Sequence, residues 1–255
     1  MPRESKSVVL LKNVDAGLPL PENFQITTTP IEVDEAGSQI PDGGIFVELL
    51  AVSADPYLRG RIRSNVGSIK PGEAISGFVS GKIVISKNEK WKAGDLFGGS
   101  LPFTTYQILT PAQLGSTLLW KLTDLISEEE IGAGIGILGM PGATAYGGLL
   151  DVLRPKANET IFISACAGAV GGMVGMLAKN VFGCKVIGSC GGPEKVAAAL
   201  ANGFDHAIDY KKCETAEDII NAVKAFAPDG IDMYFENVGG IHFEAATALL
   251  KNEGW

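Results

Sequence analysis

The sequence predicts an α/β protein in two parts, a mainly antiparallel, barrel-like β domain and then a parallel sheet with helical crossovers. Three observations carry this. β-branched runs broken by glycine turns fill the first half, as in "GGIFVELLAVSAD" and "AISGFVSGKIVISKN". The texture changes at "ISEEEIGAG". Short branched strands then alternate with helical segments to the end, which implies parallel pairing with right-handed crossovers.

In the first half, "KAGDLFGGSLPFTTYQILT" continues the β pattern with Gly-Asp and Gly-Gly turn signals. Ser127 and Glu130 fit a capping box, and three acids follow Ser127 where the helix dipole favours them. The domain boundary is placed there, giving residues 1–126 and 127–255. In the second half "TIFISA" reads as a strand and "AVGGMVGMLAKNVFG" as a helix ending at Gly183. "CKVIGSC" reads as a strand, and "PEKVAAALANG" as a helix between Pro193 and Gly203. "HAIDY" is a short strand, "TAEDIINAVKAFAPDG" an amphipathic helix, and "IDMYFENVGG" a strand entering a Gly-Gly loop.

Composition bounds the function. The chain has 255 residues, is 46% hydrophobic and carries a net charge of -8. That suits a globular core and argues against a nucleic-acid partner. The four cysteines form no C-x-x-C pair and lie in apolar text, which reads as reduced thiols in a cytoplasmic protein. "MPRESKSVVLLKN" shows no secretory signal. The uncharged runs at 131–150 and 160–178 are rich in glycine and read as buried α/β elements rather than membrane spans.

The chemistry centres on Ala165-Cys-Ala-Gly168-Ala-Val-Gly171, between a strand and a helix at βαβ spacing. The pattern is A-x-x-G-x-x-G. Gly168 lets the backbone approach a pyrophosphate, Gly171 lets the helix sit against the strand, and the helix N-terminus offers N–H groups to an anion. Gly172 and Gly175 read as helix-packing glycines. The second strand runs into "GSCGGPEKV", with no acid directly after the strand to hold a ribose 2′-hydroxyl; Glu194 comes later, at the helix start. Lys195 there would attract a 2′-phosphate, which tilts the reading towards NADP. As a local feature it reads equally as a solvated helix lysine. A methyltransferase would share the glycine turn, but the β-rich first half and Lys195 argue against one.

Six motifs in order, "VSADPYLRGRI", "GMPGATAYGGLLDV", "ISACAGAVGGMVG", "GSCGGPEKV", "GFDHAIDYK" and "PDGIDMYFENVGG", resemble the zinc-free medium-chain dehydrogenase/reductases. The group they resemble is the NADP-dependent 2-alkenal and prostaglandin reductases. The resemblance spans almost the whole chain. It implies a GroES-like barrel domain followed by a Rossmann doubly wound parallel sheet. It also implies hydride transfer from NADPH to the C=C bond of an α,β-unsaturated aldehyde or ketone. The family's phosphate turn falls on Gly168, Ala169, Val170 and Gly171. Its 2′-phosphate lysine falls on Lys195 and a neighbouring tyrosine on Tyr210, otherwise a packed strand-end aromatic. Its cofactor asparagine falls on Asn237, equally a turn residue.

Metal chemistry finds no ligands in the first domain, which has neither cysteine nor histidine, so a zinc alcohol dehydrogenase is excluded. His206 reads as structural, and His242 receives no role. Without a metal, the enolate oxygen needs a hydrogen-bond donor, and the α-carbon takes its proton from solvent. Tyr57 matches a family pocket tyrosine and is the catalytic candidate, against a barrel-core aromatic. Arg59 and Arg61 are expected in ion pairs, and Thr144 and Tyr146 along the cleft between domains.

At roughly 25–30 residues per strand–helix step, residues 160–255 hold four strands rather than six. Family members continue past "LLKNEGW" into a nicotinamide-binding loop, a further pocket tyrosine and the strand used for dimer pairing. The chain is therefore expected to be a C-terminally truncated member with an incomplete Rossmann domain and an exposed sheet edge. Its catalysis and its homodimer are open. Two further readings stand beside the reductase, a quinone oxidoreductase of the same fold and an NADP-binding chain without activity.

Overall fold

The computed structural model describes residues 3–251 and 254. The chain divides into two compact units, one ending at Gly139 and one starting at Met140.

The first unit is antiparallel. Strands β1 (Arg3–Leu10) and β2 (Phe24–Ile31) form a hairpin. The next strands are β3 (Ile45–Val52), β4 (Ser76–Ser86), β5 (Leu96–Pro102), β6 (Tyr106–Leu109) and β7 (Leu119–Lys121). They make a five-stranded sheet in the order β6-β3-β4-β5-β7. Single bridges, Ser7 to Thr104 and Val9 to Ala74, tie the hairpin to it. Register shifts in β3 bend the strand as bulges do. The enclosed core includes Leu10, Val47, Val79 and Phe97, each fully buried. Helices here are short: α1 (Leu58–Arg61) and α2 (Pro111–Ser116), the latter capped by Thr110 Oγ1.

The texture change at residue 127 lies inside this unit. The segment Glu128–Ile135 is a 3₁₀ helix, and Glu130 Oε2 accepts from both Ser127 N and Oγ. It packs on the sheet: Ser80 Oγ donates to Ile131 O at 2.8 Å, and Lys82 Nζ pairs with Glu128 at 2.9 Å. Gly134 is the close contact, because a Cβ there would come within 2.6 Å of Leu122 and 2.9 Å of Ser80. The glycines lower helix propensity, and burial of this one fixes the segment to the sheet.

The second unit is doubly wound. Strands β8 (Thr160–Ile163), β9 (Lys185–Cys190), β10 (His206–Asp209) and β11 (Met233–Phe235) are all parallel. Their order is β10-β9-β8-β11. The chain steps outward from β8 to β10 and then returns to the other side of β8. This reversal is the switch point where open α/β sheets bind ligands. Beyond β11, Leu250 forms a parallel bridge to Ile231.

The helices are α3 (Met140–Gly147), which runs into a π-helical stretch Gly148–Leu153, α4 (Ala169–Asn180), α5 (Pro193–Ala201), α6 (Ala216–Lys224) and α7 (Ile241–Leu249). Alternation along β8 explains the two layers. Ile161 and Ile163 pack with Leu149, Val174 and Ala178 on one face. Phe162 packs with Ile219, Val223 and Ala245 on the other. Each of the fully buried Ile, Leu, Val and Phe side chains among these contributes about 1.5–3 kcal/mol. Among the described residues, no single helix is long and apolar enough to cross a membrane.

Candidate functional site: four strand ends on one sheet edge

Because the strands of the second unit are parallel, the segments after each strand emerge at one edge. The proposed cofactor residues all lie there. Gly168, Ala169, Val170 and Gly171 follow β8, Lys195 follows β9, Tyr210 follows β10 and Asn237 follows β11.

The turn after β8 is held by its own backbone. Ala165 takes φ +49°, a left-handed conformation unusual for a residue with a Cβ. Gly168 N donates to Ala165 O at 2.9 Å and Cys166 N to Ser189 O at 3.0 Å. Gly168 is then the N-cap of α4. A Cβ on Gly171 would lie 2.5 Å from Ala165 O and 3.0 Å from Cys166 Cα, so only glycine lets the helix meet the turn. A Cβ on Gly168 would meet only Ala165 O, at 3.1 Å. Ala167, Gly168 and Ala169 are exposed. The N–H groups of the first helical turn have no intrahelical partner, and the dipole's positive end lies there. The turn fits a pyrophosphate.

The two glycines that follow differ. Gly175 is a packing glycine, since a Cβ would come within 2.0 Å of the Phe204 ring. Gly172 is not, because its Cβ would find only Cys166 O at 3.4 Å, an ordinary contact. Its expected packing role is corrected accordingly.

The turn after β9 is held from outside. Gly192 takes φ +95° and its N–H donates to Asp209 Oδ1 at 2.8 Å. Lys211 N donates to the same oxygen at 3.2 Å. The Gly192 N–H first, and then that of Lys211, hold the Asp209 carboxyl below the usual carboxylate range. Pro193 starts α5, and Lys195 stands exposed in its first turn. Tyr210 is 38% exposed and lies over Gly191, where a Cβ would come within 3.0 Å of its hydroxyl. An exposed lysine, an exposed phenol and a helix N-terminus suit a phosphate monoester.

The loop after β11 is tied to β8. Asn237 N donates to Ser164 Oγ and Asn237 Nδ2 to Ser164 O, both at 2.8 Å. Glu236 Oε1 accepts from Gly239 N at 2.7 Å and from Val238 N. Burial pushes the Glu236 carboxyl up, but these two N–H groups hold it below the carboxylate range. The amide of Asn237 thus fixes the loop at the switch point. Sequence reasoning missed Ser164, Asp209, Glu236 and His242, whose roles arise from contacts across strands.

In the first unit Tyr57 is 37% exposed, which sets it apart from a core aromatic. It packs edge-on against Phe78, with centroids 6.2 Å apart. Burial, and then the Asp55 carboxylate, push its hydroxyl up, so it stays a neutral donor at neutral pH. The expected ion pairs of Arg59 and Arg61 are absent among the described residues. Arg59 donates to the carbonyls of Val14 and Gly17, and Arg61 to Ser68 Oγ and to Ser76. Backbone carbonyls and serine hydroxyls took the place of carboxylates. In the second unit Thr144 and Tyr146 are exposed on α3, and Thr144 Oγ1 donates to Met140 O at 2.8 Å. His206 stacks on Phe226 with centroids 3.8 Å apart. Among the described residues no three His, Cys, Asp or Glu side chains gather as a metal site.

Residues 169–255 match the family model for a zinc-binding dehydrogenase, and residues 6–116 that for the N-terminal domain of an oxidoreductase. The NADP(+)-dependent 2-alkenal reductase of Nicotiana tabacum is 40% identical over 257 residues, spanning 98% of this chain and 71% of its own length. The chain belongs to the medium-chain dehydrogenase/reductases, in the 2-alkenal and prostaglandin reductase group. Prostaglandin reductase 1 of Sus scrofa, in the same group, is 36% identical over 244 residues, spanning 96% of this chain and 69% of its own. The crystal structure of CurA from Vibrio vulnificus in complex with NADPH matches with a TM-score of 0.82 and 31% identity. It covers 98% of this chain and 69% of that one.

Proposed function

We propose that this chain is an NADPH-dependent reductase of the C=C bond in α,β-unsaturated aldehydes and ketones. The observation that carries the proposal is the glycine turn of α4 at the sheet's switch point, with Lys195 and Tyr210 on the same edge. When bound, NADPH supplies the hydride that reduces the double bond.

The chain's own groups do the rest. Gly168 brings the backbone close to the pyrophosphate, and the free N–H groups of residues 169–171 hold it. Lys195 and Tyr210 hold the 2′-phosphate and so favour NADPH over NADH. Asn237, fixed by Ser164, shapes the floor of the site. Tyr57 donates its hydroxyl hydrogen bond to the oxygen that gains charge as the β-carbon is reduced. The proton at the α-carbon comes from water. Reduction without zinc and a cytoplasmic location belong to the same proposal. In their support, residues 1–126 contain no cysteine or histidine, and all four cysteines are free. The net charge of -8 favours a small-molecule substrate over nucleic acid.

The test is consumption of NADPH with a medium-chain 2-alkenal, with NADH and a quinone run in parallel. Turnover confined to NADPH and the alkenal supports the reductase. Turnover with the quinone alone moves the chain to quinone reduction. Tight NADPH binding without turnover leaves only a cofactor-binding chain.

A further inference from the structure

We infer that His242 is a positioning residue for the 2′-phosphate end of the cofactor site, acting through Tyr210. The inference rests on the proposed role of Lys195 and Tyr210 as 2′-phosphate contacts.

His242 is the second residue of α7, just past the loop that carries Asn237. It is 3% exposed. Its Nε2 lies 2.9 Å from Ser189 Oγ, which is itself fully buried near the end of β9. Its ring meets that of Tyr210 edge-to-face, with centroids 5.4 Å apart and an interplanar angle of 78°. Tyr210 in turn lies over Gly191. One imidazole therefore touches β9 and Tyr210 from an element that begins beyond β11.

An apolar side chain would fill this place without the desolvation cost of an imidazole. The imidazole does two jobs that no apolar residue combines. Its polar edge satisfies the buried Ser189 hydroxyl, and its ring gives Tyr210 a defined wall. Tyr210 is part-exposed and would otherwise lose rotamer freedom each time a phosphate bound. With the ring held beforehand, that loss is already met in the free protein. The benefit falls on NADPH alone, because NADH has no 2′-phosphate.

The test uses two complementary variants, with NADPH and NADH affinities read by fluorescence titration. His242→Gln keeps a hydrogen-bonding group for Ser189 and removes the ring. It should weaken NADPH about fivefold and leave NADH unchanged. His242→Phe keeps a ring against Tyr210 and removes the bond to Ser189. It should keep most of the NADPH preference even where it lowers thermal stability. In a Tyr210→Ala background, His242→Gln should have no further effect on the NADPH-to-NADH ratio. The inference is overturned if His242→Gln weakens both cofactors equally, if His242→Phe proves the worse for selectivity, or if the effect persists without Tyr210. Lys195→Ala separates the two levels. If it leaves the ratio unchanged, the 2′-phosphate reading itself fails. If it lowers the ratio while His242→Gln does not, only the role of His242 fails.

Discussion

The turns after β8 and β9 face one edge of the same sheet, yet they are held in opposite ways. The first is locked by backbone packed on backbone: Ala165 folds back on Gly168, and α4 rests on Ala165 through Gly171. The second has an open glycine, Gly192, whose hypothetical Cβ meets nothing within 4 Å. Its shape comes from Asp209 across the strand and from Tyr210 lying on Gly191. The turn proposed for the invariant part of the cofactor is rigid by sterics. The turn proposed for its distinguishing phosphate is built from side chains, which substitution can retune. Binding and selectivity are thereby separable in this fold.

Substitutions can break or sharpen that contrast. The largest effect is expected at Gly171. Gly171→Ala drives a Cβ into Ala165 O and should destabilise the protein by about 3 kcal/mol in urea unfolding, with loss of NADPH binding. At the second turn Lys195→Ala should leave unfolding unchanged. NADPH should weaken about thirtyfold, and NADH hardly at all, in parallel titrations. Equal weakening of both would erase the contrast.

Gly172→Ala should act with the opposite sign to its neighbour. Its Cβ has room, and alanine is the better helix former, so thermal unfolding should show a gain of about 0.5–1 kcal/mol. Ala165→Gly relieves a left-handed residue but loosens the unfolded chain, for a net gain of about 0.5 kcal/mol by the same measurement. The smallest effect concerns pH. Burial holds the His242 pKa below its ordinary value, with Glu236 opposing. The unfolded chain then binds the proton more readily, so stability should fall as pH drops below about 6.5. His242→Gln should flatten that slope in denaturation curves taken at several pH values.

The same contrast explains what could be read from the sequence. The first turn was legible because its cause is local: a strand, glycines at fixed spacing and a helix start lie within one short stretch. The order of elements in the second unit was legible for the same reason. The second turn was visible only as Lys195 and a resemblance at Tyr210. Its supports come from Asp209, 17 residues beyond Gly192, and from His242, 53 beyond Ser189. No spacing rule announces such partners. The segment after Ser127 carried a correct cap signal, but its glycines gave a 3₁₀ helix seated on the first sheet. Arg59 and Arg61 were misread because their partners, backbone carbonyls and two serines, carry no charge to mark them in a sequence.

The β1–β2 hairpin bears on the order in which the first unit can close. β1 and β2 pair locally, but Ser5 also exchanges hydrogen bonds with Tyr106, 101 positions away. Val8 and Leu10 need that closure to be covered. On the ribosome they must wait until the strands up to β6 have emerged, because non-local pairing cannot precede synthesis of its partner. The β8–α4–β9 crossover needs no such delay. A growing chain would therefore hold Val8 and Leu10 of β1 open until β6 is made, and chaperone capture or misassociation has that apolar end of the strand to grip.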